Sequence, residues 1–295
     1  MALTKSSIAA GALDKTVSQA ILALAQNNVM LPLVTRQILP IGSNVAQWSD
    51  ETPIASSSVD AKTEGSDQST VVSLTSAART ATMSEHVIRS DVGDLVQRGS
   101  VVDITGMGAE KNGAAVGAKL DSDLVTLLQS FVQVEAGAGT ALTISHIFGA
   151  LRQLRAQNAP FPFNLVLSPK GVWGAKGLRS LLIQAGNTTT NTAVPHSLMG
   201  SQGQDFLNRG FVDSIGGIDV YWSNEINEDI SSGGDAGAGM FSAGAIGCAI
   251  PVEGLLKIEP ERNASARSTE LVSTGVWGEI EIKDTFGVYI LHDVS

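Results

Sequence analysis

Residues 49–88, SDETPIASSSVDAKTEGSDQSTVVSLTSAARTATMSEHVI, constrain this chain more than any other stretch. STVVSLTSA (69–77) and RTATMSEHV (79–87) alternate β-type residues, and EGSD (64–67) is a turn signal. That pattern predicts a long two-stranded hairpin. Large apolar residues are scarce in it, so the hairpin has little core of its own. A lone hairpin is marginal in water. It must therefore lie on another surface, of this chain or of another, or remain disordered.

The rest of the chain can afford a core. Its 295 residues, 43% of them hydrophobic, suit one large domain or two ordinary ones. Charged residues are 16% and the net charge is −10. That balance argues against a nucleic-acid binder, which needs a basic face, but suits a surface that faces DNA without adhering to it. The single cysteine, Cys248 in AGAIGCAI, forms no internal disulfide and reads as a small buried hydrophobe. Lys5, Asp14 and Lys15 interrupt any apolar leader. The uncharged run 236–252 is glycine-rich, reaches Pro251 and is too short to span a bilayer. The expectation is a soluble, intracellularly made protein with no membrane partner.

Along the chain, residues 14–28 predict a short amphipathic helix capped by Asp14, with Val17, Ile21, Leu24 and Ala25 on one stripe that must dock elsewhere. Residues 29–48 are extended around Pro32 and Pro40. Residues 104–132 predict a long helix whose buried face is Val116, Leu120, Leu124, Leu127, Leu128 and Phe131. Gly106, Gly108, Gly113 and Gly117 each weaken it by about 1 kcal/mol relative to alanine, and mark close helix–sheet contact. A second helix, 143–160, is capped by Thr143 and buries Ile144, Ile147, Phe148, Leu151 and Leu154. A strand at 163–167 leads through Ser168 as cap and Pro169 into another helix. Then follow a strand at 218–222, a glycine loop at 228–239, a buried strand or short helix at 240–250, and three strands at 255–260, 271–282 and 286–293. The fold class is α+β.

Catalytic constellations are missing from this pattern. The four histidines show no HxxxH or HxH spacing, and no GxSxG elbow occurs. GVWGAKG (171–177) and GMGAEKNG (106–113) lack the spacing and context of phosphate loops, and NTT (187–189) and NAS (263–265) read as chance glycosylation matches. No catalytic, cofactor-binding or metal-binding residue is nominated. One charged cluster stands out: Glu259, Glu261, Arg262, Arg267 and Glu270 around small residues. It suits an active site, an ion-pair patch on a solvated loop, or a contact between subunits. It has no histidine, cysteine or metal-ligand partner nearby, which argues against catalysis.

The order of parts carries a resemblance. VDAKTEGSDQSTVVSLTSAARTATMSEHVIRSD, GFVDSIGGIDVYWSNEI, and SGGDAGAGMFSAGAIGCAI followed by LLKIEPERNASARSTELVSTGVWGEIEIKDTFGVYIL together resemble the major capsid proteins of tailed bacteriophages, the Hong Kong 97-like coat fold. The resemblance implies an N-terminal arm (1–31), an extended loop with flanking strands (32–88), a peripheral domain with a spine helix (89–139), an axial domain (140–253) and closing strands of the peripheral domain (254–295). It implies a structural protein, not an enzyme. Such a protein self-assembles as hexamers and pentamers into an icosahedral shell around double-stranded DNA. It would be made in the host bacterial cytoplasm and reside in the virion.

The implied partners are further copies of the chain, a portal protein, a cement or decoration protein, and packaged DNA by proximity only. Met1 at the start of the arm favours a separate scaffolding protein. Lys62 is the only lysine of the extended loop, and no acceptor or activating carboxylate accompanies it, so non-covalent locking is expected. Subunit-interface candidates are Lys62, Glu64, Asp67 and Arg79 on the extended loop, and Glu261, Arg262, Arg267 and Glu270 on a loop between two peripheral strands. Two alternatives stand: an encapsulin-like nanocompartment of the same fold, and an unrecognised enzyme.

Overall fold

A computed structural model describes residues 15, 17–24, 28–52, 54, 56–59, 64–65, 71–100, 103–178, 211–215, 217–230 and 233–295. Three sheets and one long helix form its frame. A five-stranded sheet runs β1 (Thr35–Leu39), β10 (Ile246–Pro251), β12 (Ser268–Glu281), β11 (Leu256–Asn263), with β4 (Ser84–Gly93) also paired to β12. A six-stranded sheet runs β5 (Val134–Ala141), β13 (Gly287–Asp293), β9 (Asp235–Ser242), β6 (Phe163–Leu167), β8 (Ile218–Trp222), β7 (Phe211–Ile215). The third sheet is the hairpin of β2 (Val45–Glu51) and β3 (Ser76–Thr82). Helices α2 (Asp94–Gly99), α3 (Ile104–Thr126), α4 (Ile144–Ala156) and α5 (Pro169–Trp173) follow α1 (residues 17–24). The fold is α+β, as expected.

The spine is α3, with 23 residues and a length of about 35 Å at the standard rise. Asp103 caps it by accepting from the Gly106 N–H at 3.1 Å. Val116, Leu120, Leu124, Leu128 and Phe131 are buried as the periodicity predicted. Its glycines serve a different contact from the one expected. A Cβ on Gly113 would lie 2.2 Å from the Ala20 carbonyl oxygen, and one on Gly117 would lie 2.7 Å from that of Leu24. These glycines admit the backbone of α1, so the contact is helix on helix, and only Gly108 faces the sheet, at Leu271. The α1 stripe is corrected too. Ala20, Ala23 and Leu24 are buried while Ile21 and Leu22 are exposed, because backbone approach needs small side chains at the crossing. Asp14 and Ala25 lie outside the described residues.

Beyond α1 the chain is fixed by one buried carboxylate. Asp121 on α3 accepts from the Val29 N–H at 2.9 Å and the Met30 N–H at 2.6 Å, and from the Ser223 hydroxyl after β8. Asn28 joins in, donating to the Gly117 carbonyl at 3.4 Å and accepting from the Leu31 N–H at 2.8 Å. Residues 28–30, α3 and the segment after β8 of the six-stranded sheet thus meet at Asp121. Burial pushes its carboxyl above the usual range, against the pull of these three donors.

Over the six-stranded sheet, Thr143 caps α4 and Ser168 caps α5, each accepting from the N–H three residues on. The buried face of α4 is Ile147, Ala150 and Leu154, and Phe148 is exposed, contrary to the predicted stripe. The glycine loop expected at 228–239 is in part a strand: β9 begins at Asp235 and every residue of it is buried. Its glycines are there because neighbours leave no room. A Cβ on Gly237 would lie 2.6 Å from the Tyr289 hydroxyl, and one on Gly239 would lie 2.8 Å from Leu128. The apolar run after it is two strands, β9 and β10, joined by a turn. Sheet membership crosses the expected boundaries, since β5 and β13 belong to the six-stranded sheet and β10 to the five-stranded one.

His292 of β13 is fully buried against α5, with its Nε2 2.8 Å from where a Gly171 Cβ would stand. Burial holds its pKa below the ordinary histidine value. The charged groups around it are Asp235 on β9, Asp293 on β13 itself and His146 on α4, with Lys176 bonded to Asp293 at 2.5 Å. The unfolded chain binds this proton more readily, so stability falls as pH drops below 6.5, down to the lowered folded value. Thermal midpoints measured from pH 7 to pH 5 should therefore fall, by about 2–4 °C per kcal/mol lost. His292→Leu should flatten that dependence, and an unchanged slope would remove His292 as its source.

Candidate assembly surface

Among the described residues, the hairpin is anchored at its root. β2 and β3 pair antiparallel from Val45↔Thr82 to Glu51↔Ser76, and the Thr52 N–H continues the ladder to the Thr75 carbonyl at 3.1 Å. Ala46 and Ala81 are buried there, and the Trp48 ring covers Gly247. Residues 71–75 are irregular, so the strand predicted from Ser69 begins at Ser76. Among the described residues beyond the root, Val71 is 88% exposed, Leu74 82% and Val59 79%. Arg79 faces Asp50 across the hairpin at 3.5 Å, and Asp50 also meets Lys283 at 3.5 Å. Glu64 is exposed in a turn with Gly65, whose φ is +83°. Lys62 and Asp67 lie outside the described residues.

The second candidate surface is the far end of the five-stranded sheet. The expected loop shrinks to residues 264–267. Glu261 and Arg262 are on β11 and Glu270 is on β12, so only Arg267 is a turn residue. Strand pairing continues this far because Asn263 still sits opposite Ser268. Arg262 grips Asp94, the first residue of α2, with two bonds of 2.6 Å. This bidentate pair holds the Asp94 carboxyl below its usual range. Glu270 receives Arg89 at 3.2 Å and Asn263 at 3.1 Å. Arg267 adopts φ +52°, and its carbonyl accepts from the Asp94 N–H at 2.9 Å. Arg262 and Glu270, read from the sequence as subunit contacts, are thus already compensated inside one chain. Asp94, Arg89 and Arg98 escaped the sequence reading, because Asp94 lies 168 positions from Arg262 and only strand register unites them.

Among the described residues, no group of three or more His, Cys, Asp or Glu side chains could hold a metal. No described helix is long and apolar enough to cross a membrane. Cys248 is fully buried, and burial pushes its thiol up to about 12. His86 stacks on Trp277 with ring centroids 4.0 Å apart, a packing role.

No protein-family model matches the chain, and no curated protein matches it in sequence. Solved structures do match. The capsid of Ralstonia phage GP4 is 12% identical, with a TM-score of 0.67 over 92% of this chain and 90% of the other. The capsid structure of cyanophage P-SCSP1u is 13% identical, with a TM-score of 0.60 over 89% and 87%. This chain has the Hong Kong 97-like capsid fold. The virus-like particle from Pyrococcus furiosus is also similar, 11% identical with a TM-score of 0.57 over 94% and 98%.

Among the described residues, two elements leave apolar side chains exposed. One is the hairpin, with Val59, Val71 and Leu74 exposed. The other is α1, which docks one face on α3 and presents Ile21 and Leu22 outward.

Proposed function

We propose that this chain is the major capsid protein of a tailed bacteriophage and is not an enzyme. In this reading it assembles as hexamers and pentamers into an icosahedral shell around double-stranded DNA. The observation that carries the proposal is the likeness to capsid structures over nearly the whole chain, coupled with a hairpin that exposes Val59, Val71 and Leu74. The arm and the hairpin gain their missing burial on neighbouring copies. The five-stranded sheet and α3 form the core of a peripheral domain, and the six-stranded sheet that of an axial domain. Lys62, Glu64, Asp67, Arg79, Glu261, Arg262, Arg267 and Glu270 lie at or beside subunit contacts. Each exposed ion pair contributes about 0–1 kcal/mol. A shell repeats it many times, so weak contacts suffice and still permit correction during growth. The acidic balance keeps packaged DNA from adhering to the wall. Portal, scaffolding and decoration proteins are the partners this function requires, and the host cytoplasm is its place of synthesis.

The test is negative-stain microscopy of the expressed chain, alone and with its neighbouring genes. Closed shells are expected. A chain that stays monomeric at high concentration and turns over a substrate would overturn the proposal. The Pyrococcus furiosus match supports a second reading, an encapsulin-like compartment. Particles purified from the native source decide between them, since a virion carries DNA and a portal vertex and a compartment carries neither.

A further inference from the structure

Val288, Ile290 and His292 alternate along β13, and Val288 and Ile290 pack into the core beneath α4 and α5. His292 meets α5 itself: a Cβ on Gly171 would lie 2.8 Å from its Nε2 and 3.3 Å from its Cε1. The ring is fully buried, and among the described residues neither of its nitrogens closes a hydrogen bond. A neutral imidazole carries one donor and one acceptor, so both are left unmet at a cost in stability. The backbone of α5 is therefore the lid of a site where a polar ring sits unsatisfied.

A proton on this ring meets opposition first from burial, which disfavours the charged form. The Ile290 backbone, Asp235 on β9 and Asp293 on β13 favour the charge, but both carboxylates are engaged elsewhere. Asp235 accepts from the Gly139 N–H at 2.8 Å. Asp293 accepts from Lys176 at 2.5 Å and from the Ser295 hydroxyl at 2.7 Å. His146, in the first turn of α4, opposes the charge, and its own buried Nδ1 has no hydrogen-bond partner among the described residues. Lys170 of α5 pairs with Glu228, and Glu135 of β5 accepts from Gln153, so neither answers the ring.

We infer that His292 is a proton-operated latch, which holds residues 169–178 on the six-stranded sheet at neutral pH and releases them in mild acid while the sheet stays folded. A buried imidazolium needs water or an acceptor. The element that must move to admit either is α5, because its backbone at Gly171 covers Nε2. It is also the element least held. It has five residues, and its core contribution is Val172, with Leu178 behind it. The strand that carries His292 is paired on both edges, to β9 and to β5. The Lys176 ammonium bonded to Asp293 holds that carboxyl down at about 2, so this clasp survives mild acid and keeps the released segment tethered. Release is therefore reversible, and the acid loss of stability is local before it is global. The latch works within one chain and does not depend on assembly.

The test is hydrogen exchange of the full chain, read by mass spectrometry from pH 7 to pH 5 and corrected for the intrinsic rate. Once α5 lifts, His292 regains an ordinary value near 6.5, above its folded one, so opening takes up one proton between the two. Protection over residues 169–178 should fall by up to about tenfold per pH unit in that window, the slope of a single proton. Protection in β6 and β9 should stay level, and a return to pH 7 should restore the starting profile. His292→Leu should keep residues 169–178 protected throughout. The unaltered chain decides by itself even where that variant folds poorly. A level profile over residues 169–178 would overturn the latch, and so would a loss shared equally with β6 and β9. A folded His292→Leu chain that keeps the full pH slope would overturn it as well.

Discussion

Replacing residues 53–74 with a two-residue Asn-Gly turn should leave a soluble, folded subunit that builds no closed shells. The structure sets the limits of the cut. Thr52 and Thr75 already meet through a backbone bond of 3.1 Å, so an Asn-Gly turn can close the ladder there. The root below keeps Ala46, Ala81 and the Trp48 contact with Gly247. A wider cut over 50–80 would also remove the Asp50 contacts with Arg79 and Lys283, and would mix a folding defect with an assembly defect. The lost segment includes Ile54, Val59, Val71 and Leu74, all more than half exposed. Fully burying such side chains contributes about 1.5–3 kcal/mol each, so four of them are worth roughly 6–12 kcal/mol per copy before ordering costs. Surface ion pairs cannot replace that. The thermal midpoint should stay near that of the full chain while sedimentation shows only small species. Normal shells from the shortened chain would remove the hairpin from the assembly mechanism.

The same segment shows what the sequence could reveal and what it could not. That a hairpin lies here was legible from local turn chemistry and alternation, but its strands were misplaced: β3 (Ser76–Thr82) pairs with β2 (Val45–Glu51), and the SEHV of RTATMSEHV belongs to β4 in the five-stranded sheet. The α3 helix and its face were legible for the same reason, as were the Thr143 and Ser168 caps. The buried strand at Asp235–Ser242 was hidden. Glycines in DAGAGMFS read as a loop, and only the later positions of Tyr289 and Leu128 show that they make room for neighbours. Gly113 and Gly117 were noticed but given the wrong partner, since no local pattern says which element crosses a helix. The charged cluster was found as a composition and misread as a geometry. All of its residues except Arg267 sit on paired strands, and the acids and arginines that complete it, Asp91, Asp94, Arg89 and Arg98, come from a segment about 170 residues earlier that only strand pairing brings alongside.

The largest loss of stability should come from Trp277→Ala, about 3–5 kcal/mol. Trp277 is fully buried on β12, where the five-stranded sheet meets α3. Its ring stacks on His86 of β4, and its Nε1 donates to Asp123 of α3 at 3.3 Å. The flanking glycines of GVWG exist for this side chain and its strand. A Cβ on Gly275 would stand 2.5 Å from the Trp277 ring and 2.7 Å from Val116, and one on Gly278 would stand 2.7 Å from the Thr82 carbonyl at the hairpin root. Removing the indole empties the joint between sheet and spine while both glycines prevent local collapse from filling it. The thermal midpoint should fall by about 6–20 °C, at about 2–4 °C per kcal/mol for a chain of this order of size. Trp277→Phe keeps a ring against His86 and loses the bond to Asp123, so it should fall between the two. A Trp277→Ala chain that melts within about 2 °C of the parent would show that the joint is held elsewhere. Because Gly278 carries the hairpin root on the same strand, the destabilised variant should also lose hydrogen-exchange protection at Ala81 and Thr82 before it loses protection in β6 and β9, which lie in the other sheet.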